Sequence, residues 1–187
     1  MKTKPWHIDY LDCGIPRWII ETAFGIMIIA ALLCATPTLD WMSQHMPVTQ
    51  SILNTVGMVV IYLCFLRGMK GLAHPLTALW WAAIVLNLLG FAVSCFGQTL
   101  ESIGAATAAA LPLVYLPLGF LLALWYRGRL ASAGIWMVIR ILIANLVPVL
   151  FYVTGWIQTQ AGTIVMDVIT VAADLVYAFM LRRVLVK

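Results

Sequence analysis

Charge is scarce in this chain. Only 10% of its 187 residues are Asp, Glu, Lys or Arg, against about 25% in an ordinary soluble domain. Nucleic-acid binding needs a basic stripe on an exposed face. The net charge of +4 supplies none, because the cations sit at the ends of apolar runs. Histidine and cysteine are also few. His7, His45 and His74 fall at or outside the ends of those runs, so no bis-histidine haem site forms between spans. The four cysteines make no C-x-x-C and no zinc spacing. Cys13 and Cys64 read as lying near a reducing compartment, and Cys34 and Cys95 can pair only if the first and third spans meet. The Gly-x-Gly-Asp of intramembrane aspartyl proteases, the Gly-x-Ser-Gly of rhomboid-like enzymes and a phosphate-binding glycine loop are missing too. The expectation is a non-enzyme with no catalytic residues, no metal and no cofactor.

What is abundant is apolar surface: 64% of the chain, too much for a water-soluble globule of this size. A helix crosses the hydrocarbon core with about 20 apolar residues. Six segments qualify, at approximately 18–36, 48–66, 76–96, 103–126, 131–153 and 162–181. They use most of the chain, so residues 1–187 read as a single integral-membrane domain. The first segment is longer than a signal-peptide core and is followed by no A-x-A site. The expected fold is all-α, six transmembrane helices arranged as three consecutive helical hairpins.

The cations orient the spans. Lys2, Lys4, Arg17, Arg67, Lys70, Arg127, Arg129, Arg182, Arg183 and Lys187 all fall on one side, and the opposite loops carry no Lys or Arg. By the positive-inside rule both termini are cytoplasmic. The location this suggests is a multi-pass protein of the cell membrane, most simply a bacterial inner membrane. Trp6 and Tyr10 before the first span, and Trp41, Met42 and Met46 after it, read as interfacial anchors. Similar span ends near Arg67 and Arg127 suggest a hairpin repeat of about 60 residues, although membrane interfaces alone place Arg and Tyr there. In the fourth span, small residues from Gly104 to Ala110 favour close packing, and Pro112 and Pro117 favour a bend.

The sixth span carries the strongest polar signal. Thr163, Asp167, Thr170, Asp174 and Tyr177 repeat at intervals of four and three, forming one stripe on a helix. Carboxylates at membrane depth cost about 2.5–3.5 kcal/mol each near the centre, so they should face the interior. Arg140 in the fifth span lies about 14 Å from the cytoplasmic end and Asp174 about 10 Å, so the two can meet. Asn145 and Asp167 match in depth at about 21 Å, but Asn145 is about 140° around the helix from Arg140. Asn87 in the third span sits on a further polar stripe with Thr77, Ser94 and Gln98. Glu21 is only about a turn inside the first span and reads as reaching the headgroups.

Intramembrane ionisable groups point to function. The chain therefore reads as binding or passing a small solute or ion through a polar interior of spans three, five and six. Its candidate residues are Arg140, Asp174, Asp167, Asn87, Asn145, Thr170 and Tyr177. The alternative is a non-transporting subunit, a sensor or scaffold in a larger complex. Expected partners are membrane lipids, a small solute or ion, and a partner membrane subunit or a homo-oligomer. No motif identifies a family.

Overall fold

The computed structural model describes residues 6–34, 40–69, 74–96 and 101–187. Six helices account for nearly all of them: α1 (Arg17–Cys34), α2 (Asp40–Gly68), α3 (His74–Phe96), α4 (Glu101–Trp125), α5 (Arg129–Val153) and α6 (Gln160–Leu185). Two two-residue strands, β1 (Trp6–His7) and β2 (Tyr126–Arg127), pair in parallel. Five helices contain segments long and apolar enough to cross a membrane: Thr49–Gly68, Pro75–Phe96, Ala106–Trp125, Arg129–Val153 and Gln160–Leu185. Helix α1, the expected first span, is shorter and holds Arg17 and Glu21.

Helix α2 starts at Asp40, whereas hydropathy places its span from 48. Hydropathy reports the part of a helix that suits lipid, and the helix itself continues into a more polar stretch. The segment around 41–46, read as an outer loop, is therefore helical backbone. Helix α4 runs unbroken through Pro112 and Pro117, and α5 through Pro148. Between α5 and α6 the chain turns at Gly155 (φ 73°), and the Thr159 hydroxyl caps α6 by accepting the Gly162 N–H at 3.0 Å.

Each helix packs on its neighbours in sequence, and α1 packs on α6. The arrangement is thus a closed ring. The expected hairpins α1–α2, α3–α4 and α5–α6 are in contact, but so are α2–α3 and α4–α5. The most deeply buried side chains cluster toward the end that carries Arg67, Arg127, Arg129, Arg182 and Arg183, the basic end. Phe24, Tyr62, Phe65, Trp80, Leu118, Leu122, Leu130, Met137, Tyr177 and Leu181 are all fully enclosed there. Farther along, Leu88, Leu89, Phe96, Leu146, Val149, Leu150, Ile164 and Val168 are exposed. The bundle is packed at its basic half and more open at the other.

Residues 6–16 lie across the basic end. Ile8 N–H donates to Arg127 O at 3.0 Å, Leu130 N–H to Ile8 O at 3.1 Å, and Leu11 N–H to Val184 O at 2.8 Å. Leu11 and Cys13 are buried. The segment read as an interfacial anchor is, over its described part, a strap. It depends on Gly128, whose φ of +80° suits glycine and whose added Cβ would collide with Asp9 Oδ1. Asp9 in turn takes the Arg129 N–H at 3.1 Å, capping α5, and the His7 ring at 2.9 Å. Those bonds hold its carboxyl below the usual range, the His7 contact contributing most.

Candidate functional site

Arg140 and Asp174 each lie eleven residues inside the basic ends of their helices (129 to 140, 174 to 185), about 16 Å along the axis. The antiparallel packing of α5 on α6 therefore brings them level. Arg140 Nε donates to Asp174 Oδ1, and the guanidinium carbon stands 5.2 Å from the Tyr177 ring centroid. The pair is not sealed: Arg140 and Asp174 retain 20% and 27% of their side-chain surface. That surface lines a cavity of about 220 Å³ between α1, α2, α5 and α6. Met27, Ala30 and Ala31 form its α1 wall, and Gln50, Asn54 and Met58 its α2 wall. The ionic groups and the amides give the cavity a polar lining, with methionine and alanine filling between them.

Behind the pair runs a chain of hydroxyls. Asn87 Nδ2 donates to Ala83 O at 2.7 Å and to Tyr115 Oη at 2.6 Å. Tyr62 donates to Tyr115 at 3.1 Å and lies 3.4 Å from the Tyr177 hydroxyl. Either hydroxyl can donate in that last contact. Around this chain Trp80 stacks on Phe65 at 4.8 Å and tilts against Tyr62 at 5.0 Å. The Trp80 Nε1 is buried and has no hydrogen-bond partner among the described residues. These aromatics fill the bundle between the cavity and the strap.

The site's composition differs from the expected interior of spans three, five and six. Helix α3 contributes Asn87 only through the tyrosine chain, and the cavity walls that complete the site come from α1 and α2. Asn145 is exposed and donates to Ile141 O at 2.8 Å within its own helix, as its angular offset from Arg140 requires. Thr170 likewise returns its hydroxyl to Met166 O at 3.0 Å. Asp167 is half-buried, two turns from Asp174 on the same stripe, and makes no hydrogen bond or ion pair among the described residues. Tyr177 is fully buried and joins the hydroxyl chain to the ion pair.

Sequence reasoning left Tyr62 and Tyr115 out of the site, although a tyrosine hydroxyl in mid-helix needs a partner when buried. Glu21 does not reach for headgroups. Its carboxylate takes two hydrogen bonds from Arg182, Nε to Oε2 and Nη2 to Oε1, both at 2.7 Å, with Arg17 Nη2 3.5 Å away. This fork joins α1 to α6 where the ring closes.

Among the described residues no cluster of three His, Cys, Asp or Glu side chains could hold a metal ion. Cys13, Cys64 and Cys95 are free thiols, and the side chain of Cys34 lies outside the described residues. Helix α2 stands between α1 and α3 in the ring. Comparison with protein-family models, with curated proteins and with solved structures gives no match. The fold itself fits a multi-pass, all-α membrane protein.

Proposed function

We propose that this protein binds a small polar solute or ion in the cavity between α1, α2, α5 and α6. The observation that carries this reading is that Arg140 and Asp174 line open space and not a dry interface. An ion pair kept only for the register of two helices gains nothing from a cavity beside it. Arg140 uses Nε on Asp174, which leaves the other guanidinium nitrogens for a solute acceptor, and Asn54 adds an amide.

With the basic end placed in the cytoplasm and α1 taken as a sixth span, the ion pair lies near mid-depth and the cavity extends from it toward the outer side at Asn54 and Gln50. The aromatic packing and the strap separate it from the cytoplasm. Capture from the outer side is thus favoured over continuous passage in this conformation. The location consistent with this orientation is a bacterial inner membrane.

The test is water access. In a variant whose four native cysteines are alanine, Asn54→Cys should react with a charged, membrane-impermeant thiol reagent added outside. Arg127→Cys should react only from the inside. An unreactive Asn54→Cys would favour the alternative, a scaffold subunit with a sealed interior. Reversed sidedness at Arg127→Cys would overturn the orientation.

A further inference from the structure

A second cleft, of about 460 Å³, opens at the basic end between α5 and α6 and shares no lining residue with the solute cavity. Its upper rim carries Arg129 and Arg183, both exposed. Below them Ser132, Trp136 and Met180 line its lower part. On α5 the spacing 129, 132, 136 puts three of these residues on one helical stripe. Met180 and Arg183 do the same on α6. The cleft therefore grades from two guanidinium groups at the helix ends to an apolar floor about 10 Å deeper at Trp136.

The local bonding holds neither cation in an ion pair among the described residues. Arg129 Nη1 donates to Arg183 O at 3.3 Å, which holds its side chain over the cleft. Arg183 lies 5.7 Å above the Phe179 ring centroid. Neither arginine has a carboxylate within ion-pair distance among the described residues. The one acid in the cleft, Asp9, has an oxygen committed to each of two contacts, the Arg129 N–H and the His7 ring.

We propose that this cleft binds one anionic phospholipid, its phosphate between Arg129 and Arg183 and an acyl chain along Trp136 and Met180. Two facts select that occupant. The cations stand where helices of membrane length end, at the level of a headgroup layer, and the apolar floor continues from them toward the hydrocarbon. A free phosphate would use the rim alone and leave that floor without a role.

The experiment uses the full chain, delipidated in neutral detergent. Native mass spectrometry then counts lipid bound from an equimolar mixture of phosphatidylglycerol and phosphatidylcholine. Phosphatidylglycerol should be retained preferentially, at one site. Each arginine near a membrane surface is worth about fivefold in affinity for anionic lipid, so Arg129→Gln with Arg183→Gln should lose about thirtyfold. Arg127→Gln, exposed at the same end but outside the cleft, should bind as the parent does. Equal retention of the two lipids, or an equal loss in Arg127→Gln, would overturn the site. Displacement of the lipid by millimolar inorganic phosphate would show a site for the free anion instead. Should the double variant fail to fold, brominated phosphatidylglycerol supplies the test on the unmodified protein. It should quench a component of tryptophan fluorescence that Trp136→Phe lacks, and an identical quench in both proteins would overturn the assignment.

Discussion

Glu21 and Arg182 form a two-point ion pair across 161 positions of sequence, and it closes the ring by tying the first helix to the last. Both side chains are about one-third exposed, so the pair is worth about 1 kcal/mol rather than the value of a buried fork. Glu21→Gln and Arg182→Gln should each lower the melting temperature in detergent by roughly 2–4 °C. Arg17→Gln, which removes only the longer contact, should leave it nearly unchanged. Equal losses in all three would mean that the fork between Glu21 and Arg182 is not what fastens this seam.

Arg140 and Asp174 should behave differently because they are deeper. Removing one partner strands the other charge, at a cost of about 3–5 kcal/mol, whereas removing both can be nearly neutral. Arg140→Leu and Asp174→Leu should each destabilise strongly, and the double variant should regain most of the loss. Thermal unfolding of the four proteins in a double-mutant cycle measures this. Additive losses would mean that the side chains do not interact.

Position in the hydroxyl chain makes its members unequal. Tyr62 stands in the middle, so Tyr62→Phe breaks the contacts with both Tyr115 and Tyr177, a penalty of about 1–3 kcal/mol for the buried hydroxyls left behind. Tyr177→Phe removes only the longer contact and leaves the Tyr62–Tyr115 and Asn87–Tyr115 bonds in place. Tyr62→Phe should therefore be the more destabilising of the two. Denaturant unfolding in mixed micelles gives the order, and the reverse order would refute the central place of Tyr62.

Acid should loosen the strap. The Asp9 carboxyl is held below its ordinary value by His7 and the Arg129 N–H. Its contribution is thus complete above the ordinary carboxylate pKa and is lost as pH falls through the lower folded value. Protection of the Ile8 and Leu130 amides, relative to intrinsic exchange at each pH, should fall below about pH 4. Asp9→Asn should abolish that dependence, and Gly128→Ala should expose the same amides at neutral pH. Protection that does not change with pH in the parent protein would remove Asp9 from this role.

Much of this architecture could be read from the sequence because lipid imposes length and depth. Five membrane-length helices follow from hydropathy alone, and matched depth brings Arg140 and Asp174 to the same level. The same arithmetic applies to Glu21 and Arg182, each about a turn from a basic end. It does not reveal their pairing, because α1 and α6 are distant in sequence and ring closure is a tertiary fact. The stripe on α6 is limited for a related reason. Periodicity identifies one face of a helix but not the helices opposite it, so it gives no sign of Asn54 and Met58 of α2 or Met27 of α1. Tyr115 gave no polar signal in a helix otherwise filled with alanine, leucine and proline.

Five of the ring's six helix contacts join neighbours that a loop already tethers, and only the α1–α6 seam lacks a connecting loop. The groups that fasten that seam and its strap, Arg182 and Val184, belong to the final turns of α6. Without α6, α1 through α5 would make an open arc, with Glu21 of α1 lacking its Arg182 partner. The cavity cannot acquire its fourth wall, or Arg140 its carboxylate, until α6 is in place. Formation of the cavity and completion of the ring are one event.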